Sequence, residues 1–238
     1  MKHALRLFCI WLALFSVSSF AQPLAVGGVP LRFSFALTAG ASQSSIAADS
    51  LLASYFAPNA SVVHIIGPAI GLDYEIRIGR FAAVSLGTEY QVRGENTNKT
   101  AVMFTDDIFQ HDLATTAELR YLAFPLVVKG GYCGPAGWIY AKAGVTGSWL
   151  LGSTLKWLID GREATPGSTH MPYVGIYGND FGVLGGLEAG MSFGRHGFFV
   201  SGEYLYGLTS ISSDLSGTAF NRATEVTVGY RFFISKTK

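Results

Sequence analysis

Between Ile65 and Phe233 the chain repeats one pattern: apolar or aromatic residues at every second position, with small, hydroxyl or charged residues between them. The stretch 66–79 shows it most plainly. Pro68, Ile70, Leu72, Tyr74, Ile76 and Ile78 share one parity, and Ala69, Gly71, Asp73, Glu75 and Arg77 the other. A period of two belongs to a β-strand whose faces meet different surroundings. Eight such strands are predicted: Pro30–Ala39, Ile65–Gly79, Phe81–Gly94, Thr115–Tyr132, Trp138–Leu151, Phe181–Gly194, Phe198–Ser212 and Ala223–Ile234. Charges keep to one face in nearly all of them.

The connections alternate in length. Gly79-Arg80, Cys133–Gly137 and Arg195–Gly197 are short and rich in Gly and Pro, whereas Gly40–His64, Glu95–Ala114, Gly152–Asp180 and Ser213–Arg222 are long. Short turns on one rim and long loops on the other are the signature of an all-β, eight-stranded, antiparallel up-and-down transmembrane barrel. Strand length agrees. Phe181 and Phe193 lie twelve positions apart on one face. At ~3.3 Å per residue and a tilt of ~40° they are separated by about 30 Å along the membrane normal, a little more than the apolar band of such barrels. They mark two aromatic girdles, with Tyr90, Trp149 and Tyr206 added to the outer one and Phe198 and Phe232 to the inner one; Phe81 and Trp138 lie near that inner rim but off the apolar parity, and are placed there too.

The N-terminus changes the picture by adding a compartment. Lys2 and Arg6 precede an apolar run, Leu7–Leu14, and Ser19-Phe20-Ala21 ends on small residues. Residues 1–21 are expected to be a cleaved secretory signal and 22–238 the barrel domain. No second apolar run long enough for a membrane helix follows, so a closed barrel is the expected membrane form, sited in the bacterial outer membrane. Cleavage removes two of the 17 basic residues, leaving 15 against 16 acidic ones, a balance unsuited to nucleic-acid binding. Only Cys133 remains as a thiol, too few for a disulfide framework or a zinc site.

If the greasy face meets lipid, the other parity points inward. It carries Arg32, Asp73, Glu75, Arg77, Glu89, Arg93, Glu118, Arg120, Lys142, Glu188, Glu203, Glu225 and Arg231, seven acids and six bases. Lys129 falls out of phase with Glu118 and Arg120, and Pro125 has no N–H to give a ladder. A bulge near Pro125 would account for both; snorkelling of Lys129 at the interface is the alternative. Eight strands leave an interior just wide enough for side chains to fill. Nearly balanced charges in that space read as a structural plug of ion pairs rather than a pore or proton relay. A soluble, ligand-holding barrel would need the two faces exchanged.

The run Tyr121-Leu122-Ala123-Phe124-Pro125-Leu126-Val127-Val128-Lys129 resembles the central strand of the PorT-like outer-membrane β-barrel family of Bacteroidetes and related bacteria, where a Tyr-Leu-Glu-Ile-Pro-Leu-Leu-type run recurs. Gly67–Tyr74, Tyr140–Gly147 and Val228–Phe232 extend the likeness to nearly the whole region from Pro30 to Phe233. Ala123 departs from it, standing where the family often has Glu, and the chain continues from Ile234 to Lys238 where many such barrels end on an aromatic. The resemblance implies an integral outer-membrane barrel of OmpX/OmpA-like architecture, inserted by the barrel-assembly machinery. It implies no single activity, although some relatives serve protein secretion.

No enzyme is expected. His64, His111, His170 and His196 lie at strand ends, in loops or in a turn, with no serine and acid grouped around any of them. Asp106, Asp107 and Asp112 match no calcium-loop spacing, and no cofactor or metal is expected. The chain's environment is outer-membrane lipid. Aromatics in the long loops (Tyr55, Phe56, Trp157 and Tyr173, with Leu51, Leu52, Leu158 and Met171 beside them) offer a surface for an extracellular ligand or protein, or a lid over the mouth. Binding or adhesion through the loops is therefore the expected role, with narrow solute transport or service in a secretion complex as the alternative.

Overall fold

The computed structural model describes residues 25–26, 29–48, 62–97, 100–103, 110–164, 178–211 and 218–234. Eight long strands form the wall: β1 Val29–Ala48, β2 Val62–Ile78, β3 Ala82–Thr97, β4 Gln110–Cys133, β5 Gly137–Ile159, β6 Asn179–Phe193, β7 His196–Gly207 and β8 Ala219–Phe233. Each pairs antiparallel with its neighbours in sequence. β8 returns to β1, from Ala219 opposite Ala48 to Phe233 opposite Ser34, and closes the cylinder. Closure leaves no free edge in the wall, which a lipid environment requires.

The alternation read from the sequence is the alternation of the wall. In β8, Ala219, Asn221, Ala223, Glu225, Thr227, Arg231 and Phe233 are buried, and Thr224, Val226, Val228, Tyr230 and Phe232 between them are exposed. In β6, Leu187 is 65% exposed while its neighbour Glu188 is 2% exposed. A carboxylate hidden beside a bare leucine is the reverse of a soluble protein, and it excludes the exchanged-face barrel.

Short turns join β2 to β3, β4 to β5 and β6 to β7. Gly79 and Gly194 take left-handed φ values of 67° and 66° in two of them, which glycine adopts without a steric penalty. The ends of the barrel chain reach the same rim: Phe233 N–H donates to Arg195 O, and Ile234 N–H to Phe33 O. Phe81, Tyr132, Phe193, Phe198 and Phe232 are exposed there, and Trp149, Phe181 and Tyr206 near the opposite rim.

β1, β4 and β5 run well past their predicted ends, while β7 stops at Gly207, short of the predicted Ser212. β1 continues to Ala48, and β4 and β5 pair from Cys133–Trp138 out to Leu113–Ile159. β3 leaves β4 at Asn96–Thr116 and β6 leaves β5 at Trp149–Asn179, so the outer part of β4–β5 projects past the barrel. Thr100–Met103 pairs along one side of this arm and Arg162–Ala164 along the other. The turn at its tip is Asp160-Gly161, both with positive φ, the signature of a tight hairpin. Trp157 and Leu158 therefore lie in a strand rather than a loop. Leu51, Leu52, Tyr55, Phe56, Asp106, Asp107, His170, Met171 and Tyr173, with residues 1–21, lie outside the described residues.

The bulge foreseen at Pro125 is absent. The β3–β4 register holds from Ala82–Gly130 to Asn96–Thr116 with no residue inserted; the ladder only skips Gly87 and Thr88, which face Pro125 and Phe124. Pro125 points inward with Tyr121, Ala123, Val127 and Lys129 on one uninterrupted parity. Register shifts lie elsewhere, between His64 and Ala69 in β2–β3 and beside Arg120/Tyr121 in β4–β5, where Leu151 is the extra residue.

The barrel lumen as candidate functional site

The lumen is built in layers. At the short-turn end Trp138, Tyr140, Phe199, Phe233, Cys133 and Ala36 form an apolar floor. Glycines make room for the two largest rings: a Cβ at Gly229 would lie 2.1 Å from Phe199 Cζ, and one at Gly190 would lie 2.3 Å from Trp138 Cζ2. Two guanidiniums lie over this floor. Arg77 Cζ is 4.6 Å from the centroids of Trp138 and Phe233, and Arg231 Cζ is 4.6 Å from Phe199. Cation–π attraction strengthens when both partners are removed from water. Trp138, expected in the inner girdle, is thus a lumen residue, on the inward parity with Tyr140 and Lys142.

Directly above, Glu75 and Glu188 collect three cations. Lys129 Nζ is 2.7 Å from both carboxylates, Arg231 is 2.8 Å from Glu188 and 3.1 Å from Glu75, and Arg77 Nε is 2.8 Å from Glu75. Trp138 Nε1–H donates to Glu188 Oε1 at 2.7 Å. Arg77 Nη1 also donates to Cys133 Sγ at 2.9 Å. Lys129 is therefore neither displaced by a bulge nor snorkelling. It is a central member of the network, on the true inward parity of β4.

The same parity corrects two assignments. Leu119 and Tyr121 are fully buried, so Glu118 and Arg120 point outward. They pair with each other at 2.9 Å in the open, and Arg120 reaches Thr154 Oγ1 at 3.3 Å. Their charges are tolerated because they lie on the outer stretch of β4 where the arm begins. Arg32 keeps the inward parity, half-buried opposite Arg77 near the short-turn rim.

The middle of the lumen is acidic. Lys142 Nζ is 2.8 Å from Glu203 Oε2 and donates to Ser201 Oγ at 2.7 Å. Gln91 Nε2–H donates to Glu225 Oε2 at 2.7 Å. One oxygen each from Glu89, Glu203 and Glu225 fall within 4.8 Å of one another. A cavity of about 30 Å³ opens beside them, also bordered by Asp73, Ser85 and Thr227. This is room for a water molecule or two; carboxylates and hydroxyls give its wall many oxygens, and Lys129, Lys142, Pro125 and Phe199 also border it.

Toward the long-loop end Arg93 pairs with Asp180 at 3.1 Å and with Gln91 Oε1. Asn221 Nδ2 donates to Asp180 at 2.9 Å and to Tyr121 OH at 3.2 Å. The sequence pattern places Asp180 at the end of the long loop Gly152–Asp180. Its buried place follows from β6 starting at Asn179 and from its parity with Glu188. Leu119, Tyr121, Ile211 and Ala219 close this end, with Ile46 and Leu150 packed on them. Of the inward charges expected, Asp73, Glu75, Arg77, Glu89, Arg93, Lys142, Glu188, Glu203, Glu225 and Arg231 line the interior, and Lys129 and Asp180 join them.

His196 is exposed at the short-turn rim, stacked on Tyr230, and His64 is exposed at the start of β2.

A closed antiparallel barrel of eight strands, with ionised groups locked inside and an apolar wall outside, defines an integral outer-membrane protein. The chain belongs to the outer membrane protein β-barrel domain family, whose model matches residues 7–232. It resides in the outer membrane, in contact with its lipid. No curated protein matches the chain. Among solved structures it is similar to OprG from Pseudomonas aeruginosa, at 15% identity, covering 85% of this chain and 93% of that one with a TM-score of 0.44. It is similar to Ail, the attachment invasion locus protein of Yersinia pestis, solved with the heparin analogue sucrose octasulfate, at 11% identity, 84% and 99% coverage and a TM-score of 0.41. The outer membrane protease OmpT from Escherichia coli matches at 10% identity, with 91% and 100% coverage and a TM-score of 0.38.

Proposed function

We propose that this protein is a non-conducting, non-enzymatic barrel that works at the cell surface through its long loops and the projecting β4–β5 arm, as a binding, adhesive or structural element of the envelope. One observation carries the reading. Between the ring floor and the Leu119–Tyr121 lid, ion pairs such as Lys129–Glu75–Arg231–Glu188 run from wall to wall. An ion crossing the lumen would have to break several buried pairs, each costly to leave unpaired. The charges serve as a structural plug. The surface available for recognition is then the outer end, where the arm raises exposed Asp112, Lys156, Arg162 and Glu163 above the wall.

Planar-bilayer recording of the purified protein tests this. Silence at neutral pH over the physiological voltage range is expected. Steady single-channel steps would overturn it and favour the second reading, a narrow path for small solutes or a part in a secretion complex. The Tyr121–Lys129 run supports placement within the PorT-like branch of the family. We further propose that residues 1–21 are removed on export and that the barrel-assembly machinery inserts residues 22–238. Intact mass of protein from outer membranes checks the cleavage site, and retention of Leu7–Leu14 would refute it.

A further inference from the structure

We propose that Glu89, Glu203 and Glu225 form a binding site for one calcium-sized divalent cation, enclosed in the barrel as it folds. The three residues come from β3, β7 and β8. Glu203 and Glu225 are direct cross-strand partners, and Glu89 reaches them from the other side of the lumen. Their nearest oxygens lie within 4.8 Å of one another. Oxygens that close can share one ion, and an all-protein shell of carboxylates and hydroxyls suits calcium, which accepts six to eight oxygens at ~2.3–2.6 Å in flexible geometry, better than magnesium, which holds a strict octahedron at ~2.0–2.1 Å and keeps its waters.

A second observation points to an occupant. Glu89 is 8% exposed, and its Oε1 has no hydrogen-bond partner. A buried carboxylate oxygen left bare is costly, and native interiors avoid it. That residue lines the 30 Å³ cavity, together with Glu203 and Glu225. The charge balance gives the valence. Glu203 is matched by Lys142 through Oε2. Lys129 is committed to Glu75 and Glu188. Glu225 accepts from the neutral Gln91 amide and lies within hydrogen-bond reach of Glu89, and among the described residues neither Glu89 nor Glu225 has a cation in ion-pair contact. Left ionised, Glu89 and Glu225 would set two negative charges side by side in a closed interior beside Asp73, and one divalent ion would neutralise the pair. Ser85, Thr227 and the carboxylate of Asp73 border the same space, so further oxygens, direct or through water, complete a hard-ion shell. This departs from the metal-free barrel expected of the sequence, in which these acids lie far apart along the chain.

The test uses the full chain folded from urea into detergent micelles with calcium alone, with magnesium alone, or with a chelator. Each sample is desalted over chelating resin and assayed for metal by mass spectrometry. Wild type folded with calcium should retain one calcium per chain. Magnesium should not be retained, and Glu89→Gln and Glu225→Gln should retain only background calcium while giving the folded gel mobility. Glu118→Gln, on the outer face, should bind as wild type does. Background calcium in the wild type, or retention by both glutamine variants, would overturn the proposal. Equal retention of magnesium would overturn the size assignment. If either glutamine variant fails to fold, the wild-type metal content and its thermal midpoint with and without calcium decide alone. If the acids share protons instead, wild type holds no metal, its midpoint ignores calcium, and the glutamine variants are at least as stable as wild type in chelator.

Discussion

Replacing Glu188 with glutamine probes the centre of the plug with almost no change in volume. Glu188 accepts from Lys129 at 2.7 Å, from Arg231 at 2.8 Å and from the Trp138 indole at 2.7 Å, and it is 2% exposed. Glutamine keeps one carbonyl acceptor but turns an N–H₂ toward two cations. Lys129 and Arg231 are then left with Glu75, which also serves Arg77. Breaking a buried ion pair by removing one partner costs about 3–5 kcal/mol, because the survivor remains charged and desolvated. Glu75 still compensates part of that charge, so the lower half of the range is expected, roughly a hundredfold or more in the unfolding equilibrium. Urea unfolding in detergent or lipid vesicles measures it. Gel mobility gives the folded fraction, and emission from Trp138, which sits on the network, gives a local report. Pairing Glu188→Gln with Lys129→Met removes the stranded ammonium, and the double variant should recover at least about 1 kcal/mol of the loss, as coupled neighbours do. A Glu188→Gln effect within about 0.5 kcal/mol of wild type, the range of ordinary surface changes, would mean that water screens these charges. The sealed-lumen reading would then fail.

Further outcomes follow from the same geometry. Leu187 lies midway between Phe181 and Phe193 on the outer wall, so Leu187→Arg should cost about 2–4 kcal/mol in vesicle unfolding; a neutral result would contradict the lipid-facing assignment. Gly229→Ala would set a methyl 2.1 Å from Phe199 and should cost about 1–3 kcal/mol in overpacking, whereas Gly202→Ala, with nothing within 4 Å, should stay near wild type in the same titration. Cys133 is 7% exposed and receives a hydrogen bond from Arg77, so a maleimide should label it only after unfolding; rapid labelling of the folded barrel would place it at the surface.

The strands were legible because each carries its own evidence. A wall between lipid and a polar interior forces period two, and Ile70, Leu72, Val226 and Val228 show it with no knowledge of their neighbours. The tight turns were legible for a similar reason, since Gly79 and Gly194 supply a conformation that other residues resist. The misreadings arose where parity was inferred from charge. Charge alone places Glu118 and Arg120 inward, on the rule that a charge on the outer face would meet lipid. They lie on the stretch of β4 where the arm begins, and the true inward set of β4 includes Tyr121, Pro125 and Lys129. Burial of the tyrosine and the proline, not the position of the charges, marks that face. The Asp160-Gly161 dipeptide beside Leu158 and Ile159 is a readable hairpin signal within the expected loop Gly152–Asp180.

Taken alone, the chain's alternation, turn chemistry and loop lengths determined a transmembrane barrel of eight strands with charges inside, because those properties act over a few residues at a time. They could not say which charges meet. Lys129 touches Glu75 and Glu188 across separations of 54 and 59 residues, and Arg93 reaches Asp180 across 87. Those meetings depend on how each strand is staggered against the next and on how the closed cylinder brings opposite walls together. Whether Trp138 faces lipid or caps the plug was decided in the same way, by Gly190 and Gly197 lying opposite it and leaving the space its ring fills. Side-chain partners in a barrel are set by register and closure, which are properties of all eight strands together.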